Sequence, residues 1–222
     1  MLGTIIDIEQ NSPEWYAVRR GIPTASNFCR IITAAKGEIS KQSVEYMDEL
    51  IAECFFDEAC AKPNSPWMER GHEAEPLARK CFEDLTGLNL RQVGFVKHPA
   101  GFGCSPDALV VDADGNYIAG LELKCPTPKI HVKYHRQGVL PPEYKQQVHG
   151  SMVVTGLDRW YFMSYAPGVQ PFLLCIERDE YTQTLESGLL VFMGAYQVAH
   201  ASLCAKLMLP EDSESSTLAL IS

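Results

Sequence analysis

Apolar and polar residues alternate with several distinct periods along this chain, and each change of period marks an element. Met1–Gln10 carries a short apolar alternation and predicts an edge strand. Asn11-Ser12-Pro13-Glu14 then supplies a capping residue and an early proline, as at a helix start, and Gly21 stops the helix that runs on through Trp15. Thr24-Ala25-Ser26 sets hydroxyls at the next helix N-terminus, a ready anion site. From Ser40 to Phe56, Val44, Met47, Ile51, Cys54 and Phe55 recur at helical spacing and predict an amphipathic core helix. Ala61–Trp67 reads as a proline-containing loop, and Trp67-Met68 as either core or an apolar wedge. A further helix carries Leu77, Cys81 and Leu85 on one stripe with Phe82 beside it, and ends near Thr86-Gly87. Because Pro76 follows Glu75 directly, Glu75 is expected at or before its first turn.

Leu88–Val96 predicts a strand that leads into a hairpin, whose arms are Leu109–Val111 and Tyr117–Leu123 around a two-residue Asp114-Gly115 turn. Pro126-Thr127-Pro128 breaks the second arm, and Lys129–Gly138 is basic and polar. Pro141-Pro142-Glu143 opens a helix to Thr155, stopped by Gly156. Arg159–Tyr165 and Phe172–Ile176 form a second hairpin turning at Pro167-Gly168. Glu180–Leu209 predicts a long helix with Leu185, Leu189, Phe192, Tyr196 and Leu203 inward, weakened by Gly188 and Gly194 and ended by Pro210. With no repeat or linker in between, residues 1–209 are expected to form one domain and residues 210–222 a disordered acidic tail.

Composition narrows the class. The 222 residues are 46% hydrophobic and 21% charged, ordinary for a globular domain with a sizeable core. No apolar run approaches the roughly 18–20 residues of a membrane span, and the N-terminus lacks the basic segment and apolar stretch of a signal peptide. Eight scattered cysteines without a C-x-x-C pair argue against a zinc ribbon or iron–sulfur cluster, and for reduced, mostly buried thiols in a cytosol. A net charge of −9 runs against nucleic-acid binding. Arg19-Arg20, Lys36, Lys41, Lys129, Lys133, Arg136 and Lys145 nevertheless leave room for a local positive track.

The hairpin holds the candidate chemistry. With a two-residue turn, Asp107 faces Glu122 across the ladder, and Lys124 lies on the same face about 6–7 Å further along. Tyr117, Ala119, Leu121, Leu123 and Cys125 then form the opposite, apolar row. Two facing carboxylates repel unless a cation lies between them, and Mg²⁺ takes one or two carboxylates plus water and phosphate oxygens. A solvated face with a Glu–Lys pair is the competing reading; Pro106, Gly120 and the flanking apolar runs favour a buried strand. His131 and His135 stand four apart, as helical zinc ligands would, but without an adjacent acid or cysteine a phosphate-contacting or solvated face fits better.

Cys104-Ser105-Pro106-Asp107 followed by Gly120-Leu121-Glu122-Leu123-Lys124-Cys125-Pro126 resembles the PD-(D/E)xK nucleases, and most closely the phage lambda exonuclease type of viral recombinase nuclease. The likeness runs from about Trp15 to Glu180. It implies an α/β, restriction-endonuclease-like fold: a mixed central β-sheet flanked by helices. By that resemblance Asp107, Glu122 and the Leu123 carbonyl bind one or two Mg²⁺ ions (with Mn²⁺ as a substitute), and Lys124 positions the attacking water. Glu75, spaced from Gly71 as in the family, is a third active-site carboxylate. Gln147 is the family's active-site glutamine, with Gln146 and His149 close enough in sequence to compete for its place. The block Trp15…Arg19…Gly21-Ile22…Thr24-Ala25-Ser26 makes Arg19 and Ser26 ligands of a terminal 5′ phosphate, while Thr24, Lys36, Met68, Lys133 and Arg136 are candidate DNA contacts. The resemblance further implies 5′→3′ digestion of one strand of duplex DNA to leave a 3′ overhang for recombination. It also implies a homotrimeric ring, a single-strand annealing partner, no membrane, and a cytoplasmic, phage- or prophage-derived setting. Another nuclease of the same fold, or a non-catalytic DNA-end-binding module, is the alternative.

Overall fold

The computed structural model describes residues 3–56 and 66–207, with side chains from Ala74 onward in the helix that begins at Pro66. The side chains of the predicted Trp67-Met68 wedge, residues 61–65 of the loop before it and the acidic tail therefore lie outside the described structure, while Pro66 and Trp67, expected in that loop, begin a helix. β1 (Thr4–Ile6) leads to α1 (Pro13–Arg19), α2 (Phe28–Ile31), α3 (Ser43–Phe55) and α4 (Pro66–Thr86). Five strands follow: β2 (Asn89–Arg91), β3 (Phe95–Lys97), β4 (Gly103–Cys104), β5 (Ala108–Val111) and β6 (Tyr117–Lys124). Then come α5 (Pro128–Gln137), α6 (Lys145–Thr155), β7 (Arg159–Ser164), β8 (Phe172–Glu177) and α7 (Glu180–Leu207).

The strands form two sheets, a three-stranded one ordered β1-β3-β4 and a five-stranded one ordered β2-β5-β6-β7-β8. In the larger sheet β6 and β7 run parallel, joined through α5 and α6, and every other pairing is antiparallel. Both faces are covered, which explains why β6 is buried over most of its length. Ala78 and Phe82 of α4 pack on one face against Ala108, Val110, Ala119, Leu121 and Leu123. The other face, with Leu109, Trp160 and Phe162, packs with Val148 and Met152 of α6, and the same core takes in α2, α3 and α7. This is the mixed sheet between helices that the resemblance implies.

Several sequence expectations are corrected. Leu88–Val96 is two strands, because Val93-Gly94 carries the chain from the larger sheet to the smaller. On α3 the buried residues are Ser43, Tyr46, Leu50 and Ile51; Val44 is exposed, and so is Cys54, although its thiol meets the Tyr196 hydroxyl. On α4 the sheet takes the Ala78–Phe82 stripe and leaves Leu77 and Leu85 exposed. Pro76 lies inside α4, so Glu75 is mid-helix rather than at a first turn. An interior proline costs about 3 kcal/mol, and burial of Ala78 and Phe82 against the sheet offsets it. The described cysteines are free, but only Cys104 among them is buried, and Cys29, Cys54 and Cys175 are exposed. α7 is long and apolar enough by composition to cross a membrane, contrary to the reading of no such run; its Leu185, Leu189, Phe192, Met193 and Tyr196 are buried in the core.

The hairpin differs from expectation at its tip and agrees with it at its base. Asp112 N–H donates to Asn116 and Gly115 N–H donates back to Asp112, so the loop holds three residues, with Gly115 at φ +83°. Val111 consequently faces Tyr117, one place off the two-residue register, and a bulge beside Val110 restores it. Ala108 faces Leu121 as the two-residue turn requires. The bulge turns Tyr117 toward the α6 side, away from the apolar row to which the alternation assigned it, and leaves Ile118 exposed.

Candidate active site

Asp107 stands one residue ahead of β5, where the chain crosses from the smaller sheet into the larger. Its N–H donates to the Leu121 carbonyl at 3.2 Å, and its Oδ2 accepts the Leu123 N–H at 2.5 Å. A carboxylate thus replaces a ladder partner on β6. Glu122, the residue between, is 2% exposed. Lys124 Nζ forms an ion pair with Glu122 Oε1, and Gln147 Nε2 donates to that same oxygen at 2.7 Å. Neither bond uses Oε2. Gly120 lets β6 lie flat under Trp160, whose indole a Cβ would overlap.

The competitors for the glutamine's place are turned elsewhere. Gln146 Nε2 donates to the Ile32 carbonyl, and His149 Nδ1 meets Thr182 Oγ1. α6 therefore presents Gln147 to β6 and uses its neighbours as internal struts.

Electrostatically the cluster is short of positive charge. Burial pushes the Asp107 carboxyl up to about 8, the charge of Glu122 adds to this, and Lys124 and the Leu123 N–H oppose it. Burial pulls the Lys124 ammonium down, but Glu122 and Asp107 outweigh that and hold its pKa above the ordinary lysine value. One ammonium thus serves two facing acids. Glu75 also raises the Asp107 pKa and lines the same cleft, of about 650 Å³, with Arg79 Nη1 at 3.6 Å from its carboxylate.

The donors fit a hard divalent cation. Among the described residues no three His, Cys, Asp or Glu side chains converge to hold an ion. Two acids and a carbonyl, with the remaining positions left to water and phosphate oxygens, are what Mg²⁺ accepts. The carbonyl is that of Leu123: Lys124 O is taken by Tyr165 N–H on the β7 side, so alternation turns the Leu123 N–H and C=O toward Asp107.

Arg19 lies beside this cluster. Its Nη1 donates to Ser105 Oγ at 2.7 Å, and its guanidinium stacks on Trp15 at 3.7 Å. Burial lowers its pKa to about 10, which leaves it charged at neutral pH. The hydroxyl and the aromatic face are neutral partners and leave that charge available. Ser105 is two residues from Asp107, and the sequence reading passed over it except as part of a motif. Ser26 is exposed and Thr24 buried, with their hydroxyls 3.3 Å apart, on a short 3-10 turn over Ala25–Asn27 in place of the expected α-helix start. Lys36 and Arg136 are exposed and Lys133 half-buried. Lys133 and Arg136 share α5, which starts four residues past Lys124. His131 and His135 on that helix both bond the Gln170 carbonyl at 3.0 Å, and His131 also meets Ser164, so they tie α5 down and form no metal pair. Gln10 and Trp15 also reach the approach to Asp107; Trp15 opens the block that carries Arg19, whereas nothing in the local sequence marks Gln10.

Fold and site together define a nuclease of the restriction-endonuclease-like, Asp…Glu-x-Lys class. Residues 14–158 match the family described as the YqaJ-like viral recombinase domain, and the chain belongs to that family. Among solved structures it is similar to an alkaline exonuclease, LHK-Exo, from Laribacter hongkongensis, with 32% identity, 88% of this chain and 97% of that one covered, and a TM-score of 0.74. The same values hold for LHK-Exo in complex with dAMP. A phage-related exonuclease from Haemophilus somnus 129PT shares the fold at 14% identity, with 84% and 96% covered and a TM-score of 0.58. A comparison with curated proteins returned no match.

Proposed function

We propose that this chain is a divalent-metal-dependent exonuclease that degrades one strand of duplex DNA 5′→3′ from a phosphorylated end and leaves a 3′ overhang for recombination. The observation that carries the reading is the convergence on Glu122 Oε1 of Lys124 and Gln147, beside the buried Asp107 carboxyl. Asp107, Glu122 and the Leu123 carbonyl would hold Mg²⁺, or Mn²⁺ in its place, as one or two ions. Bound there, the metal supplies an activated water and stabilises charge on the phosphate. Lys124, held charged by the two acids, orients the nucleophile and offsets charge building on the phosphate oxygens. Gln147 fixes the Glu122 rotamer, and Glu75 adds a third carboxylate at the cleft. Arg19 with Ser26 receives the 5′ phosphate, and its bond to Ser105 ties that clamp to the chain two residues from Asp107. Lys36, Lys133 and Arg136 would follow the DNA backbone.

The same reading takes residues 1–209 as one nuclease domain, assembled as a homotrimeric ring and working with a single-strand annealing protein; these rest on the family resemblance. The test is strand polarity on end-labelled linear duplex, with Mg²⁺ or with EDTA, beside closed circular DNA. Mononucleotide release from 5′-phosphorylated ends, dependent on Mg²⁺ and absent from Lys124→Ala, is expected. Nicking of the circle would place the chain among endonucleases of the same fold, and full activity of Lys124→Ala would remove the mechanism.

A further inference from the structure

The peptide between Pro106 and Asp107 is pinned at both ends. Its N–H donates to Leu121 O on β6, and its carbonyl, the Pro106 oxygen, accepts from Gln10 Nε2 at 2.8 Å. That same amide nitrogen donates to Val93 O at 2.9 Å. One side chain therefore joins the two places where the chain passes between the sheets, at Val93-Gly94 and at Ser105-Pro106. Trp15 Nε1 bridges the adjacent residues of the same two segments, donating to Gly94 O and Ser105 Oγ, both at 3.0 Å. Gln10 itself is fixed from behind. β1 pairs with β3, Ile8 packs so closely on Gly94 that a Cβ there would overlap it, and Asn11 adopts the left-handed φ of +68° before the Ser12 cap of α1.

From this we infer that Gln10 is a positioning residue for the metal site, acting through the Pro106 carbonyl on Asp107; the inference rests on the reading of Asp107 as a metal ligand. Proline restricts the backbone on one side of the pinned peptide. Once both ends of that peptide are held, the Asp107 side chain keeps only its own torsions, and the Leu123 N–H fixes those. Without the Gln10 amide the Pro106 carbonyl is released and the plane can tilt, which moves the carboxylate. Partners one step removed from a metal ligand typically contribute 10–100-fold in metal affinity.

The experiment compares Gln10→Ala and Gln10→Glu with wild type and Asp107→Asn. Gln10→Glu keeps the volume and removes both donated hydrogens. Two readouts are taken on protein shown folded by circular dichroism: Mn²⁺ binding without DNA, followed by electron paramagnetic resonance, and the Mg²⁺ midpoint for cleavage. Both Gln10 variants should weaken Mn²⁺ binding and raise the Mg²⁺ midpoint by about tenfold or more, with kcat largely restored at saturating Mg²⁺ and KM for DNA ends unchanged. A purely structural role would lower thermal stability and leave the metal midpoint in place. Should Asp107→Asn abolish Mn²⁺ binding while a folded Gln10→Glu binds it like wild type, the positioning role is overturned and the metal reading stands. Should Asp107→Asn itself bind Mn²⁺ normally, both fall together.

Discussion

Asp107→Asn should stabilise the metal-free protein while removing its activity. Asp107 and Glu122 sit on facing positions of neighbouring strand segments with one ammonium nearby, and that ammonium is paired with Glu122. Asn keeps an oxygen for the Leu123 N–H and replaces a repelled charge with a neutral amide. The Asp107 carboxyl moves from 3.8 to about 8 in the folded state. Its contribution is therefore fully present below about pH 4 and is lost as the pH rises toward about 8. At about 1.4 kcal/mol per unit the ceiling is about 5–6 kcal/mol, and screening by water in the open cleft brings the expectation to about 1–3 kcal/mol. For a chain of this size that is a rise in Tm of roughly 3–10 °C. The assay is thermal unfolding in EDTA at several pH values between about 4 and 8.5. The gap between Asp107→Asn and wild type should open with rising pH and close near pH 4. Added Mg²⁺ should raise the wild-type Tm and leave the variant unmoved. A folded variant no more stable than wild type at about pH 8 would refute the argument that this pair is under-neutralised.

Two other substitutions test separate parts of the site. Arg19→Ala should erase the preference for 5′-phosphorylated over 5′-hydroxyl ends in a competition digest while Mg²⁺ dependence persists; an unchanged preference would count against the clamp. Gly120→Ala drives a methyl into the Trp160 indole, and should cost about 1–3 kcal/mol in denaturant unfolding and reduce cleavage by displacing Glu122, whereas wild-type stability would mean that the close packing of β6 on Trp160 is unimportant.

The clustering of the two acids and the lysine was legible because it follows from strand alternation and hairpin register at the base, which survive any sheet arrangement. Which of two adjacent stripes on α4 meets the sheet was not: Leu77–Leu85 and Ala78–Phe82 have the same period, and only the neighbouring sheet chooses the smaller pair. Pro76 misled for a related reason, since a local penalty was outweighed by contacts remote in sequence. The split of Leu88–Val96 depends on which sheet each half joins. Gln10 was invisible because its partners lie 83 and 96 residues away, and only the folded crossing brings them together.

The bulge beside Val110 separates the hairpin's tip from its base. Because one extra residue in the loop is cancelled by one extra residue in the arm, the solvent-facing end can be remodelled without sliding the acids past each other. Asp114 and Gly115, exposed at that end, are thus a natural handle for a fluorophore or a surface tether that leaves the cutting end of the same strands undisturbed.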